Sequence, residues 1–216
     1  MERLIMLLIP AIHQTLYMVS LSTLFAVLVG TPLGILLVVT RRGHIMENIG
    51  IHQVLSYIVN MGRSFPYIIL MIALIPFTRL LIGTSIGTTA TVVPLTIATI
   101  PFFSRVIENA LLEVDKGVIE ASQAMGASTF QIIYKVLIPE SMPSIVLGIT
   151  ITIVNVIGYS AMAGAVGGGG LGDLAIRYGF HRYNKEVMIW TVVLLILLVQ
   201  IVQITGNYYS KNLSRR

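Results

Sequence analysis

Cysteine is absent from all 216 residues, so the chain offers no disulfide framework, no thiolate nucleophile and no cysteine-based metal site. Charge is scarce as well. Asp, Glu, Lys and Arg together make 11% of the residues against 56% hydrophobic, and the mean hydropathy is +0.89. A globule of this length cannot hide that much apolar surface, which excludes a soluble domain and implies an integral membrane protein. Acidic residues are the rarer sign, nine against fourteen Lys and Arg. The basic excess is scattered between apolar runs instead of clustering, a membrane-flanking pattern that argues for a lipid bilayer and against nucleic acid as partner. Walker A, G-x-x-x-x-G-K-[ST], is also missing, so no ATP or Mg site is expected here. His13, His44 and His52 show no metal-ligand spacing.

Long apolar runs fill the rest. The opening MERLIMLLIPAI has no A-x-A-like cleavage site after it, and residues 1–15 read as a retained interfacial segment. A first span over 16–40 carries Pro32 and Gly34, which predict a kink, and ends at Arg41, Arg42 and Gly43. Further spans are expected over about 54–77, 88–103, 144–166 and 187–208, giving a transmembrane domain over 16–208 and a tail over 209–216. An odd number of spans puts the termini on opposite sides. With the N-terminus outside, eight basic residues face the cytoplasm (Arg41, Arg42, Arg105, Lys116, Lys135, Lys211, Arg215, Arg216), against five outside (Arg3, Arg79, Arg177, Arg182, Lys185). The positive-inside rule then favours N-out and C-in.

Between the third and fourth spans lies a polar island, residues 116–139. Helix formers run from Lys116 to Met125, Gly126 suits a C′ position with φ > 0, Ser128 and Gln131 form a capping-box pattern, and Pro139 is expected to close the second helix. The spacing Glu120, Ala121, Ser122, then Gly126, then Val136, Ile138 and Pro139 resembles the E-A-A…G…I-x-L-P signature of ABC importer permeases, with Ser122, Val136 and Ile138 standing for residues of similar size. The stretches GYSAMAGAVGGGGLGDLAIRYG, RSFPYIILMIALIPFTRLLIGTSIG and PFFSRVIENALLEV are similar to the methionine-importer branch.

The resemblance implies an all-α membrane fold of five transmembrane helices, the ABC transmembrane type-1 fold, with a cytoplasmic coupling helix. It implies a bacterial cell-membrane location and a homodimer around a translocation path. Two ATPase subunits, which bind the ATP and Mg, and an extracytoplasmic substrate-binding protein complete the assembly. Glu120, Ala121, Ser122, Gly126 and Pro139 would then couple to the ATPase. The cargo implied is methionine, L- and possibly D-; another amino acid or a Met-containing dipeptide is the alternative.

Arg63, Tyr159, Ser160 and Met162 are the candidate path and gate residues. Arg63 falls inside an expected span, where a charge is costly, although a helix entering near Asn60 would let it reach the headgroups. The run Gly167–Gly170 with Gly172 contains a literal G-x-G-x-x-G but follows a membrane span, which fails as a dinucleotide site and suits close helix approach. Asp173 is placed to cap residues 174–178. Two other classes compete. An intramembrane serine hydrolase would pair Ser160 with His181, but Met162 breaks G-x-S-x-G, and a hydroxyl bonded to its own helix is the ordinary state. An ion channel would show a filter or a pore-lining polar repeat, and none is present.

Overall fold

The computed structural model describes residues 2–214, so Arg215 and Arg216 of the expected tail lie outside the described residues, as does the side chain of Arg3. Every regular element among those residues is helical. Helix α1, Glu2–Val39, is a single helix through Pro10 and Pro32. The expected separate segment over 1–15 is therefore corrected: it is the first part of the first span's helix. The exposed Gln14 and the buried Thr15 accept hydrogen bonds from the N–H groups of Gly170 (2.8 Å) and Leu171 (2.9 Å) of the later chain. Leu4, Leu8 and Ala11 pack with Leu171, Leu174 and Val187. The helix also continues through the expected kink, where Gly34 serves close packing; a Cβ there would stand 2.6 Å from Cβ of Ile107.

The expected second span is not one helix. It comprises α2 (Ile49–Ser64), α3 (Tyr67–Ala73) and α4 (Ile75–Ile82), with α2 and α3 bent by 100° at the break. Phe65–Pro66 causes this break: proline lacks the N–H a helix needs, and its ring pushes Phe65 out of the helical region, to φ −76°, ψ 127°. Helix α5, Thr88–Leu112, starts where expected but runs nine residues beyond the expected end at Phe103. Helix α9, Met142–Ala163, and helix α11, Lys185–Leu213, are the last two long ones, and both exceed the expected limits by two or more residues at the start. Four helices are long and apolar enough to cross a bilayer, and the bent α2–α3 pair brings the number to five.

Helix α5 is the central post. Val92 and Leu95 near its start pack with Met18 and Val19 of α1, Tyr67 and Met71 of α3, and Val156 and Ile157 of α9. Phe103, Ile107 and Leu111 near its end pack with Val38 of α1 and with Ile119, Ile132 and Leu137 of the polar island. Helix α11 buries only 11% of its most apolar window. A long helix apolar on all sides and so weakly covered needs hydrocarbon as its solvent.

Candidate functional site

The polar island folds as two short helices on the end of α5. Helix α6, Lys116–Ala124, starts on Asp115, whose carboxylate accepts from the Gly117 N–H at 2.6 Å. It ends in a Schellman turn: the Gly126 N–H donates to Gln123 O (2.9 Å), the Ala127 N–H donates to Ser122 O (3.1 Å), and Gly126 takes φ +80°. Ser128 then opens α7, Thr129–Ile132, through the capping box read from the sequence. Its backbone N–H donates to Gln131 Oε1 at 2.8 Å, and its hydroxyl oxygen accepts from the Gln131 N–H at 3.4 Å. Pro139 does not close this helix. Residues Ile133–Leu137 widen into a π-helical turn and α8, Ile138–Glu140, carries the chain almost directly into α9. A π turn moves the backbone carbonyls away from the proline ring, so the helical path survives it.

The two faces of α6 differ. Ile119 and Ser122 are buried against the bundle, the Ser122 hydroxyl donating to Val118 O at 2.8 Å. Val118, Ala121 and Met125 face outward together with Glu120 and Gln123, and Met125 is 80% exposed. Glu120 makes no ion pair among the described residues. Beyond them Phe130 and Tyr134 stand exposed, ring centroids 4.9 Å apart. An exposed apolar stripe beside an unpaired carboxylate, on a short helix held rigidly from behind, is a surface built for a protein partner. A cavity of about 130 Å³ separates α6 from the α1–α2 connection, lined by Gly43, His44, Ile45, Lys116, Ile119, Glu120 and Gln123. Burial, then the charges of Lys116 and Arg41, hold the His44 imidazole below its usual pKa.

The candidate path residues lie at the opposite end of α9. Tyr159 stacks on Tyr67 of α3, ring centroids 4.7 Å apart and planes 11° from parallel, while Met162 is 46% exposed. Ser160 is buried, and its hydroxyl donates to Ile157 O at 2.8 Å. His181 lies exposed against Phe180, and among the described residues no hydrogen bond joins it to Ser160, so the hydrolase reading is not favoured. The glycine run makes an intramolecular contact: a Cβ on Gly164 would lie 2.2 Å from the Asp173 N, and one on Gly172 would lie 2.3 Å from Ala161 O. Backbone meets backbone there because no side chain intervenes. Asp173 does not cap residues 174–178. It lies within α10, Gly170–Leu174, buried and paired with the exposed Arg177, and the chain continues as a π-helical stretch, Ala175–Phe180.

Arg63 stands in the last turn of α2, exposed and bonded to no described residue. Since α2 begins at Ile49, Arg63 is about 21 Å along the helix axis. The structure brings Arg63 together with neither Tyr159 nor Met162 through any direct bond. Arg105, counted from the sequence as a boundary charge, instead lies inside α5. Its guanidinium pairs with the buried Glu108 and donates across to α2, to Asn60 Oδ1 at 3.0 Å, to Ser56 Oγ, and to Ser56 O at 3.4 Å. The i, i+3 spacing of Arg105 and Glu108 was the available signal.

A family model described as the binding-protein-dependent transport system inner membrane component matches residues 30–216. The chain is 53% identical over 210 residues, 97% of its own length and 93% of the relative's, to the Vibrio cholerae serotype O1 protein named "Probable D-methionine transport system permease protein MetI". It is 45% identical over 206 residues, 95% and 93% of the two lengths, to the Bacillus subtilis methionine import system permease protein MetP. A solved structure of the MetNI methionine ABC transporter in inward facing conformations shares its fold with a TM-score of 0.97 at 47% identity over 99% of each chain. An amino acid ABC transporter chain, 19% identical with a TM-score of 0.71 over 95% of this chain and 92% of its own, shares the fold. A bundle centred on α5, a capped two-helix loop beneath it and a family match from residue 30 onward all agree, and the chain belongs to the family of binding-protein-dependent transport system inner membrane components.

Proposed function

We propose that the chain is the permease subunit of an ATP-driven importer for methionine, two copies of which line a path through the bacterial cell membrane. The observation that carries this reading is the capped loop over 116–139, whose buried face packs on α1 and α5 and whose stripe of Val118, Ala121 and Met125 stands exposed among the described residues. A separate ATPase subunit docks on that stripe, around Glu120, Ala121 and Ser122. ATP binding closes the ATPase pair, the two loops follow, and because Ile119, Ile132 and Leu137 pack on the end of α5, the bundles rock as bodies. An extracytoplasmic binding protein delivers the cargo to the far end, where Tyr159, Met162 and Arg63 border the path. Ser160 serves there as a packed helix residue.

Methionine as cargo is supported by the names of the relatives. The orientation, N-terminus outside and C-terminus in the cytoplasm, is supported by the basic residues. The test is purification in mild detergent with identification of the co-purifying ATPase and binding protein, followed by uptake of labelled L- and D-methionine into vesicles holding the whole complex. ATP-dependent uptake, competed by unlabelled methionine, is expected. Uptake of another amino acid or of a Met-containing dipeptide in its place would replace the cargo, and failure of any ATPase to co-purify would remove the importer reading.

A further inference from the structure

The polar tie between α5 and α2 has no part in the scheme above, and its construction is unusual for a site between apolar helices. Glu108 is 4% exposed. A buried carboxylate without a partner is costly, so it holds Arg105. The guanidinium is a rigid planar fork, and its second nitrogen must then find acceptors in fixed directions; it finds Ser56 and Asn60, one turn apart on α2. Little else attaches α2. Val59 is its only buried residue. Gly62 lies against the Pro101 ring of α5, where a Cβ would come within 2.9 Å, and His52 Nδ1 lies 2.9 Å from Leu37 O of α1. Seven residues beyond Arg105, α5 ends at Leu112 and the loop over 116–139 begins. Beyond α2 comes the break at Phe65–Pro66, and directly after it Tyr67 stacks on Tyr159.

We propose that Arg105 is a positioning residue for transport: oriented by Glu108, it clamps α2 to α5 so that motion of the loop over 116–139 reaches the α2–α3 break and the Tyr67–Tyr159 stack. The proposal rests on the importer reading and adds to it the element that conveys loop motion to the path. Without the clamp, α5 follows the ATPase while α2, weakly buried, lags. ATP is then hydrolysed without cargo movement.

The Ser56→Ala/Asn60→Leu pair tests this cleanly. It removes both side-chain acceptors on α2, leaves Arg105 paired with Glu108, and makes α2 more apolar, which does not hinder insertion. In vesicles holding permease, ATPase and binding protein, ATP hydrolysis should persist while methionine taken up per ATP falls by about fivefold or more, the scale of an ordinary coupling between sites. Asn60→Asp keeps an acceptor for Arg105 and should keep the ratio. A second readout does not depend on the cargo. The chain has no cysteine, so spin labels on cysteines at the exposed Val54 of α2 and Asn109 of α5 report the helix separation directly. That separation should be the same with and without ATP in the unmodified chain and should change with ATP in the double variant. Unchanged uptake per ATP in the double variant would overturn the clamp, as would a label separation that moves with ATP in the unmodified chain. If the unmodified complex takes up no methionine, the cargo assignment fails and the label separations alone decide the clamp.

Discussion

At Gly126 the backbone holds φ +80°, and a Cβ built there meets nothing within 4 Å. Space is therefore not the constraint; conformation is. A β-branched residue in this region is strained by about 1–3 kcal/mol, which the loop relieves by changing the turn and re-aiming α6. Gly126→Val should insert and dimerise normally while binding-protein-stimulated uptake falls steeply, and Gly126→Ala should fall less; uptake assays beside a size-exclusion profile check both. His44 is a second residue with a measurable consequence. Its folded-state pKa lies below the ordinary 6.5, so in the window between the two values the unfolded chain binds more protons than the folded one. Stability at this contact is present above pH 6.5 and is lost as the pH falls through the lowered pKa. The melting temperature of the purified permease should drop from pH 7.5 to pH 5.5, and His44→Gln should flatten that slope. Gly126, Ser128 and Gln131 were legible in the sequence because caps are local: the donors, acceptors and φ values they satisfy lie within a few residues. The lowered pKa of His44 is not legible there, since it comes first from burial and then from Lys116, a residue far along the chain.

Among the elements, α10 has the most exacting fit. Its first two N–H groups are capped from α1 by Gln14 and Thr15, and Gly172 presses on the backbone of Ala161 in α9. A Cβ at 172 would meet the Ala161 Cα at 2.5 Å, a contact that no rotamer change relieves. Overpacking of this kind costs about 1–3 kcal/mol or more. Gly172→Ala should lower the melting temperature and the yield of assembled complex, whereas Gly158→Ala, with nothing within 4 Å of its Cβ, should leave both unchanged. Helix α2 shows the opposite design, a span with one buried residue held by a few polar bonds. The π-helical turn before Pro139 shows how a residue that reads as a helix end becomes a continuous link from the loop into α9.

For the whole molecule the open question of sides has a direct test. Ser128 and Asn184, both helix caps, are poor labelling positions, because a cysteine there would remove the bonds to Gln131 and Val187. Met125 and Phe180 are 80% and 63% exposed, and neither side chain makes a cap bond, since Met125 closes α6 through its backbone N–H alone. With an impermeant thiol reagent on intact cells, Phe180→Cys should label and Met125→Cys should not; in inverted vesicles stripped of the ATPase the pattern should reverse. Labelling of position 125 from outside would place the loop on the wrong side and end the importer reading. Apolar residues stand exposed along every long helix, and α11 is nearly bare. In the proposed assembly that surface is left for lipid and for a second copy.

Hydropathy and length are enough to give the class, and capping patterns whose partners are three to five residues apart are enough to place the loop over 116–139. The break at Phe65–Pro66 and its bend of 100° stay hidden inside the span expected over 54–77, although Pro66 acts on its immediate neighbour. Tertiary structure decided what polar residues in apolar helices are for. Gln14 and Thr15 show no partner until the N–H groups of Gly170 and Leu171 approach them, and Arg105 reads as a loop charge until Ser56 and Asn60 lie beside it. A cap is satisfied by the chain that carries it, whereas Thr15 and Arg105 meet partners on other helices 45 to 156 residues away, a distance that no local pattern encodes.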